Sequence, residues 1–220
     1  MIRNIGKNGA ILAAFAILTT LLIVLTSLAT DSTITQQQQS KLRQTLNTVI
    51  PANLHENDIA ANCVIVTDAQ LLGPSANRRI YRASVNGEYV AMAIEATAPD
   101  GYSGDIDLLV GTRLDGTVTG VRVLSHRETP GLGDKIDASI SDWILAFNGK
   151  RYSDESRSRW AVKKDGGQFD QFTGATITPR AVVSAVARAV QFGQQNQSEL
   201  LQAENNCALD TDHEDNAHAQ

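Results

Sequence analysis

The sequence predicts an α+β fold, with one N-terminal transmembrane helix followed by a domain of antiparallel sheet and packed helices. Ala10 to Thr30 run without a charged residue and are rich in Leu, Ile, Val and Ala, the length a helix needs to cross a hydrocarbon core. From Cys63 to Leu124, short apolar or alternating runs are punctuated by Asn86-Gly87 and Asp115-Gly116, pairs that favour tight hairpin turns. Helical spacing takes over from Ser139. Strands first and helices later is the order of an α+β chain, not of repeating βαβ units.

Residues 1–9 contain Arg3 and Lys7 and no acid, whereas Asp31 follows the apolar run. This charge bias puts 1–9 in the cytoplasm, 10–30 across the membrane and the rest on the far side. The run is longer than a signal-peptide core and no A-x-A site closes it, so it reads as an uncleaved anchor. Residues 31–50 read as a stalk helix ending before Pro51, with Leu42, Leu46, Val49 and Ile50 on one stripe. Its work would be to lift the following domain off the bilayer. Strands are expected at Cys63–Thr67, Arg79–Val85, Tyr89–Ala96, Asp107–Arg113 and Val118–Leu124. A short helix is expected over Ser139–Phe147, with Ile140, Trp143, Ile144 and Phe147 on one face. A longer one is expected over Pro179–Phe192, capped by Thr178 and marked by Val182, Val183, Val186 and Val190. The domain thus covers 51–195. Residues 196–220 form an acidic tail, with disorder expected beyond Glu199 because too little apolar surface is present to offset the entropy of ordering.

Several functions are disfavoured by what the chain lacks. Its 24 acids outnumber 19 Lys and Arg, and no basic patch with interleaved aromatics occurs, which argues against nucleic-acid binding. No G-x-G-x-x-G opens a helix after a strand, and no G-x-S-x-G elbow surrounds Ser125. Asp105, Asp107 and Asp115 lack the order of a calcium loop, and His55, His213 and His218 have no partner at metal-ligand spacing. Cys63 opens a strand and Cys207 falls in the tail, so the two read as free thiols rather than a bridge.

Two stretches carry chemistry. Asp170 to Pro179 is a run of small and hydroxyl-bearing residues leading into a helix, and it places Thr176 just outside the helix N-terminus. The unpaired amides and partial positive charge there favour a phosphate, and Gly174 and Ala175 leave room beside the Thr176 hydroxyl. Arg180 and Lys163 could add charge. An ordinary strand-to-helix turn would use similar residues. The second stretch, Glu128-Thr129-Pro130-Gly131-Leu132-Gly133, turns sharply after a strand; its amides and Thr129 could donate to a flat ligand and Leu132 could lie against it. A structural turn is the competing reading.

Asp170-x-x-Thr173-Gly174-Ala175-Thr176 resembles the flavinylation motif of FMN-binding domains, and His126-Arg127-Glu128-Thr129-Pro130-Gly131-Leu132-Gly133 resembles the second signature of that family. With the anchor, residues 2–195 are similar to the G subunit of the Rnf (Rsx) ion-translocating electron transport complex. The resemblance implies FMN joined through a phosphoester to Thr176, with Thr173, Gly174, Ala175, Glu128, Thr129 and Leu132 around it. It implies that a separate flavin transferase recognises Asp170, Gly174, Ala175 and Thr176, with Phe172 beside them. It further implies an electron-relay subunit of a redox-driven ion translocase in a bacterial inner membrane, with a periplasmic domain, other complex subunits as partners and no catalytic residue or metal of its own. The C subunit of the sodium-pumping NADH:quinone reductase looks similar around both motifs. A stand-alone anchored flavoprotein and a cofactor-free tethered interaction domain are the other readings.

Overall fold

A computed structural model describes residues 2–74 and 77–207. The first element, α1, runs Ile2–Val49 as one continuous helix, so the expected span and stalk are not separate elements. Its segment Gly6–Ser27 has mean hydropathy 2.5 and is long and apolar enough to cross a membrane. Chain contacts divide the molecule into two compact units, Met1–Leu42 and Arg43–Gln220.

In the second unit five antiparallel strands follow one another in space as in sequence: β1 (Cys63–Val66), β2 (Arg78–Val85), β3 (Glu88–Gly101), β4 (Gly104–Arg113) and β5 (Val118–Ser125). The expected turns form as their residue types require. Asn86 and Gly87 take φ of 51° and 80° between β2 and β3, and Gly116 takes 82° between β4 and β5. The third hairpin, between β3 and β4, is not among the expected turns. Pro99 suggests that β3 ends early, yet it lies within an irregularity between Ala98 and Gly101 that lets the strand continue to the turn at Tyr102 and Ser103.

One sheet face packs on α2 (Ile177–Gln195). Val182, Val183, Val186 and Val190 are buried there against Met92, Ile94, Ile106 and Val110. The other face is closed by the end of α1. Leu46, Val49 and Ile50 are buried, and the Thr119 hydroxyl donates to the Val49 carbonyl at 2.5 Å. Cross-strand partners Gly111 and Gly120 make this fit possible, because a Cβ on either would lie 2.3 Å from the Val49 carbonyl oxygen or 2.8 Å from its Cα. These last turns of the expected stalk are therefore part of the domain core rather than a spacer.

Two further expectations are corrected. The Ser139–Phe147 helix contracts to a 3-10 segment, Asp142–Phe147, capped by Ser141, and Ile140 is exposed. An Asx turn in which Asp137 accepts from the Ser139 amide, followed by the Ser141 cap, holds the preceding residues out of the helix. The tail is also ordered as far as Cys207. Here α3 (Gln197–Gln202) buries Leu200, Asn205 and Asn206 side chains accept from the Cys63 and Ile65 amides, and Cys207 forms a disulfide with Cys63. Side-chain amides on the open edge of β1, with a covalent tie, supply what apolar burial alone does not. The rest of the expected disordered stretch, 208–220, lies outside the described residues.

Candidate functional site

Thr176 occupies the N-cap position of α2, with helical φ and ψ of −86° and −22°, and its side chain makes no capping bond. The expected cap, Thr178, lies inside the first turn instead and is fully buried. Its hydroxyl donates to Glu128 Oε2 at 2.5 Å. Thus the helix begins two residues early, and Thr176 is left half-buried with its hydroxyl unspent on capping. No acid sits in the first turn, and Pro179 removes one amide there, leaving those of Ile177 and Thr178 at the start of the helix.

The approach to Thr176 is a tight turn. The Ala175 amide donates to the Phe172 carbonyl at 3.3 Å, and Gly174 takes φ of 84°, a conformation costly for a residue with a side chain. Phe172 is buried and packs edge-on against Trp143 at 5.2 Å, and the Trp143 indole N–H donates to the Asp170 carbonyl at 2.7 Å. These two contacts pin the loop while Thr173 and Gly174 stay exposed and Ala175 is half-buried. The Asp170 carboxylate is exposed and paired with Lys163 at 2.6 Å. Arg180 is held bidentately by Asp165 at 2.6 and 2.7 Å. That bond keeps the Asp165 carboxyl below its ordinary range and the Arg180 guanidinium above its own. Both cations expected to add charge near Thr176 are therefore already matched by carboxylates.

The second stretch meets the first. A Cβ on Gly174 would lie 3.5 Å from Leu132 Cδ2, and Leu132 is 42 % exposed, so it borders the loop and faces outward. Ile177, on the other side of Thr176, is 44 % exposed. Thr129 is exposed too. The amides expected to face a ligand are consumed within the turn. Leu132 and Gly133 amides both donate to the Thr129 carbonyl at 3.1 Å, Gly131 donates to Asp134 Oδ2 at 2.9 Å, and Glu128 donates to His126 Nδ1 at 3.1 Å. Glu128 itself turns inward and is 5 % exposed.

As parts of the site, sequence reasoning missed Ser103, Trp143 and Ile177, and it took Thr178 for the helix cap. The Gly101-Tyr102-Ser103-Gly104 spacing is a turn signal that could have led to Ser103. Nothing in the linear pattern ties Trp143 to Asp170, which is a contact made only in the folded chain.

The site fits a flavin mononucleotide. It offers an uncapped helix start for a phosphate, a free hydroxyl beside it, a glycine at the approach and exposed apolar side chains on two sides. Residues 101–191 match the FMN-binding domain family, and residues 1–49 match the RnfG N-terminal region. Over 207 residues the chain is 53 % identical to the G subunit of the ion-translocating oxidoreductase complex of Vibrio atlanticus (strain LGP32), covering 94 % of this chain and 99 % of that one. The chain belongs to the RnfG family. Other relatives of the same description are 52 % identical in Vibrio cholerae (strain ATCC 39315), with the same coverage, and 49 % identical in Shewanella amazonensis, over 90 % of this chain and 93 % of that one. Both sequence motifs, Glu128 to Gly133 and Asp170 to Thr176, fall inside the span of this RnfG chain that matches the FMN-binding domain.

Proposed function

We propose that this chain is an electron-relay flavoprotein subunit of an Rnf-type membrane complex, carrying FMN through a phosphoester on Thr176. The observation that carries this reading is the position of Thr176, at the start of α2 with its hydroxyl unspent on capping and glycine and apolar groups beside it. The match of residues 1–49 to the RnfG N-terminal region favours this family over the sodium-pumping NADH:quinone reductase.

Within this reading each residue has a physical task. The Thr176 oxygen forms the new P–O bond while a flavin transferase breaks the pyrophosphate bond of FAD, AMP departs and the hydroxyl proton is released. The first-turn amides and the helix dipole hold the resulting phosphate. Gly174 and Ala175 leave room for the flavin chain, Thr173 and Thr129 offer hydroxyls to it, and Leu132 and Ile177 cover apolar surface. Asp170 remains on the surface as a mark for the transferase. When bound, FMN supplies electron acceptance and donation, and the covalent tie keeps it from being lost by dilution. In this reading the chain serves a redox-driven ion translocase assembled with other subunits.

Placement follows from the same reading. Residues 10–30 cross the bacterial inner membrane with Arg3 and Lys7 inside, and the domain lies in the periplasm. The Cys63–Cys207 disulfide supports this, since such bonds persist in oxidising compartments. The test is the intact mass and in-gel flavin fluorescence of the full chain made with and without the transferase. Gain of one FMN only with the transferase, abolished in Thr176→Ala, is expected; a fluorescent Thr176→Ala chain contradicts the assignment.

A further inference from the structure

We propose that Glu128 is a positioning residue, whose buried carboxylate clasps the β3–β4 turn to the first turn of α2 and so fixes where Thr176 stands for flavin attachment. This rests on the reading of Thr176 given above. Glu128 Oε2 accepts from the Thr178 hydroxyl at 2.5 Å, and Oε1 accepts from the Ser103 amide at 3.0 Å. The packing leaves room for this group and no more. A Cβ on Gly133 would lie 2.6 Å from Glu128 Oε2 and 2.9 Å from Thr178 Oγ1, and one on Gly101 would lie 3.0 Å from Glu128 Oε1.

The chemistry selects a carboxylate, which offers two acceptors to two donors. A glutamine presents one acceptor and one donor, so with its oxygen on the Ser103 amide the Thr178 hydroxyl could stay only by reversing from donor to acceptor, whereas a leucine of similar reach offers neither donor an acceptor. The geometry matters for attachment because Thr178 stands two residues after Thr176 in the same start of helix, and the Thr176 side chain does not cap that helix. The same carboxylate abuts Gly133, the neighbour of Leu132, whose Cδ2 borders Gly174. One side chain thereby sets both walls of the site. Misplacement of a reacting group by about 1 Å is enough to cost on the order of 100-fold in rate.

The test is steady-state flavin transfer to the full detergent-solubilised chain, with purified transferase, FAD and magnesium, followed by intact mass. Rates are taken per folded chain, judged by near-ultraviolet circular dichroism. Thr178→Val keeps the shape and removes the donor, Thr178→Ser restores the donor, and Glu128→Leu removes both acceptors without touching α2. The clasp predicts a drop of about tenfold or more in kcat for Thr178→Val and Glu128→Leu, with KM for the chain little changed and with faster hydrogen exchange at the Ser103 amide in Glu128→Leu. Thr178→Ser should recover most of the kcat. Wild-type kcat in Thr178→Val, a loss confined to KM, or failure of Thr178→Ser to recover overturns the clasp. A wild-type chain that gains no flavin overturns the attachment reading and the clasp's purpose with it; normal gain in wild type and Thr178→Val alike overturns the clasp alone.

Discussion

Arg82 is 2 % exposed, yet its guanidinium donates to Asn62 Oδ1 at 2.7 Å and to the carbonyls of Leu200 and Ala203 at 3.1 and 2.6 Å. It closes the end of α3 onto β2. Arg82→Met leaves those buried acceptors without a donor and should cost about 1–3 kcal/mol in chemical denaturation, with amide protection in α3 lost first. Tyr81, beside it on β2, is buried, and its hydroxyl donates to Glu95 Oε1 at 3.1 Å. Burial, and then the Glu95 charge, raise this phenol well above the ordinary tyrosine range. A group raised in the fold contributes stability that is complete below the unfolded value, about 10, and drains away as pH climbs past it. The wild-type melting midpoint should therefore fall more steeply above pH ~10 than that of Tyr81→Phe; parallel slopes would show that Tyr81 carries no such linkage. Residues of this kind resist reading from sequence, because Arg82 and Tyr81 look like any alternating strand positions. Thr178 misleads in a sharper way, since Thr before Pro is a sound cap signal and only the buried Glu128 reveals its other use.

Among the elements, those with local causes were legible. Hairpin turns at Asn86-Gly87 and Asp115-Gly116 and the valine face of α2 follow from residues close in sequence. The elements that were misread depend on distant partners: the end of α1 on the sheet, β3 continuing past Pro99, and the segment through Cys207 along the edge of β1. Gly111 and Gly120 are the clearest case. Read alone, glycine weakens a strand; paired across β4 and β5, these two open the notch that takes the Val49 backbone. Gly111→Ala would set a methyl 2.3 Å from the Val49 carbonyl oxygen and 2.6 Å from Thr119 Oγ1. It should destabilise the domain by about 1–3 kcal/mol. Hydrogen exchange should show the loss centred on the α1 end and β5; an unchanged pattern would mean that the helix end is not seated there.

For the whole molecule, the decisive structural tie is the bond between Cys63 and Cys207, separated by 144 residues, which closes nearly the entire domain into one loop. Cys207→Ser should lower stability by about 2–4 kcal/mol, and reductant should do the same to wild type but not to the variant. Equal stability in all three conditions would show that the edge amides alone hold the segment. The bond also suits the proposed placement of the domain outside the cytoplasm, where a freely dissociating cofactor would be lost and a covalent one would be retained. Under the proposed attachment, retention of the flavin would depend on one oxygen at the start of α2. Fragmentation mass spectrometry of flavin-bearing peptides from chain matured with the transferase locates the added FMN directly. The whole increment is expected on Thr176; its appearance on Thr173 or Thr178, or on no threonine of this loop, would contradict the assignment.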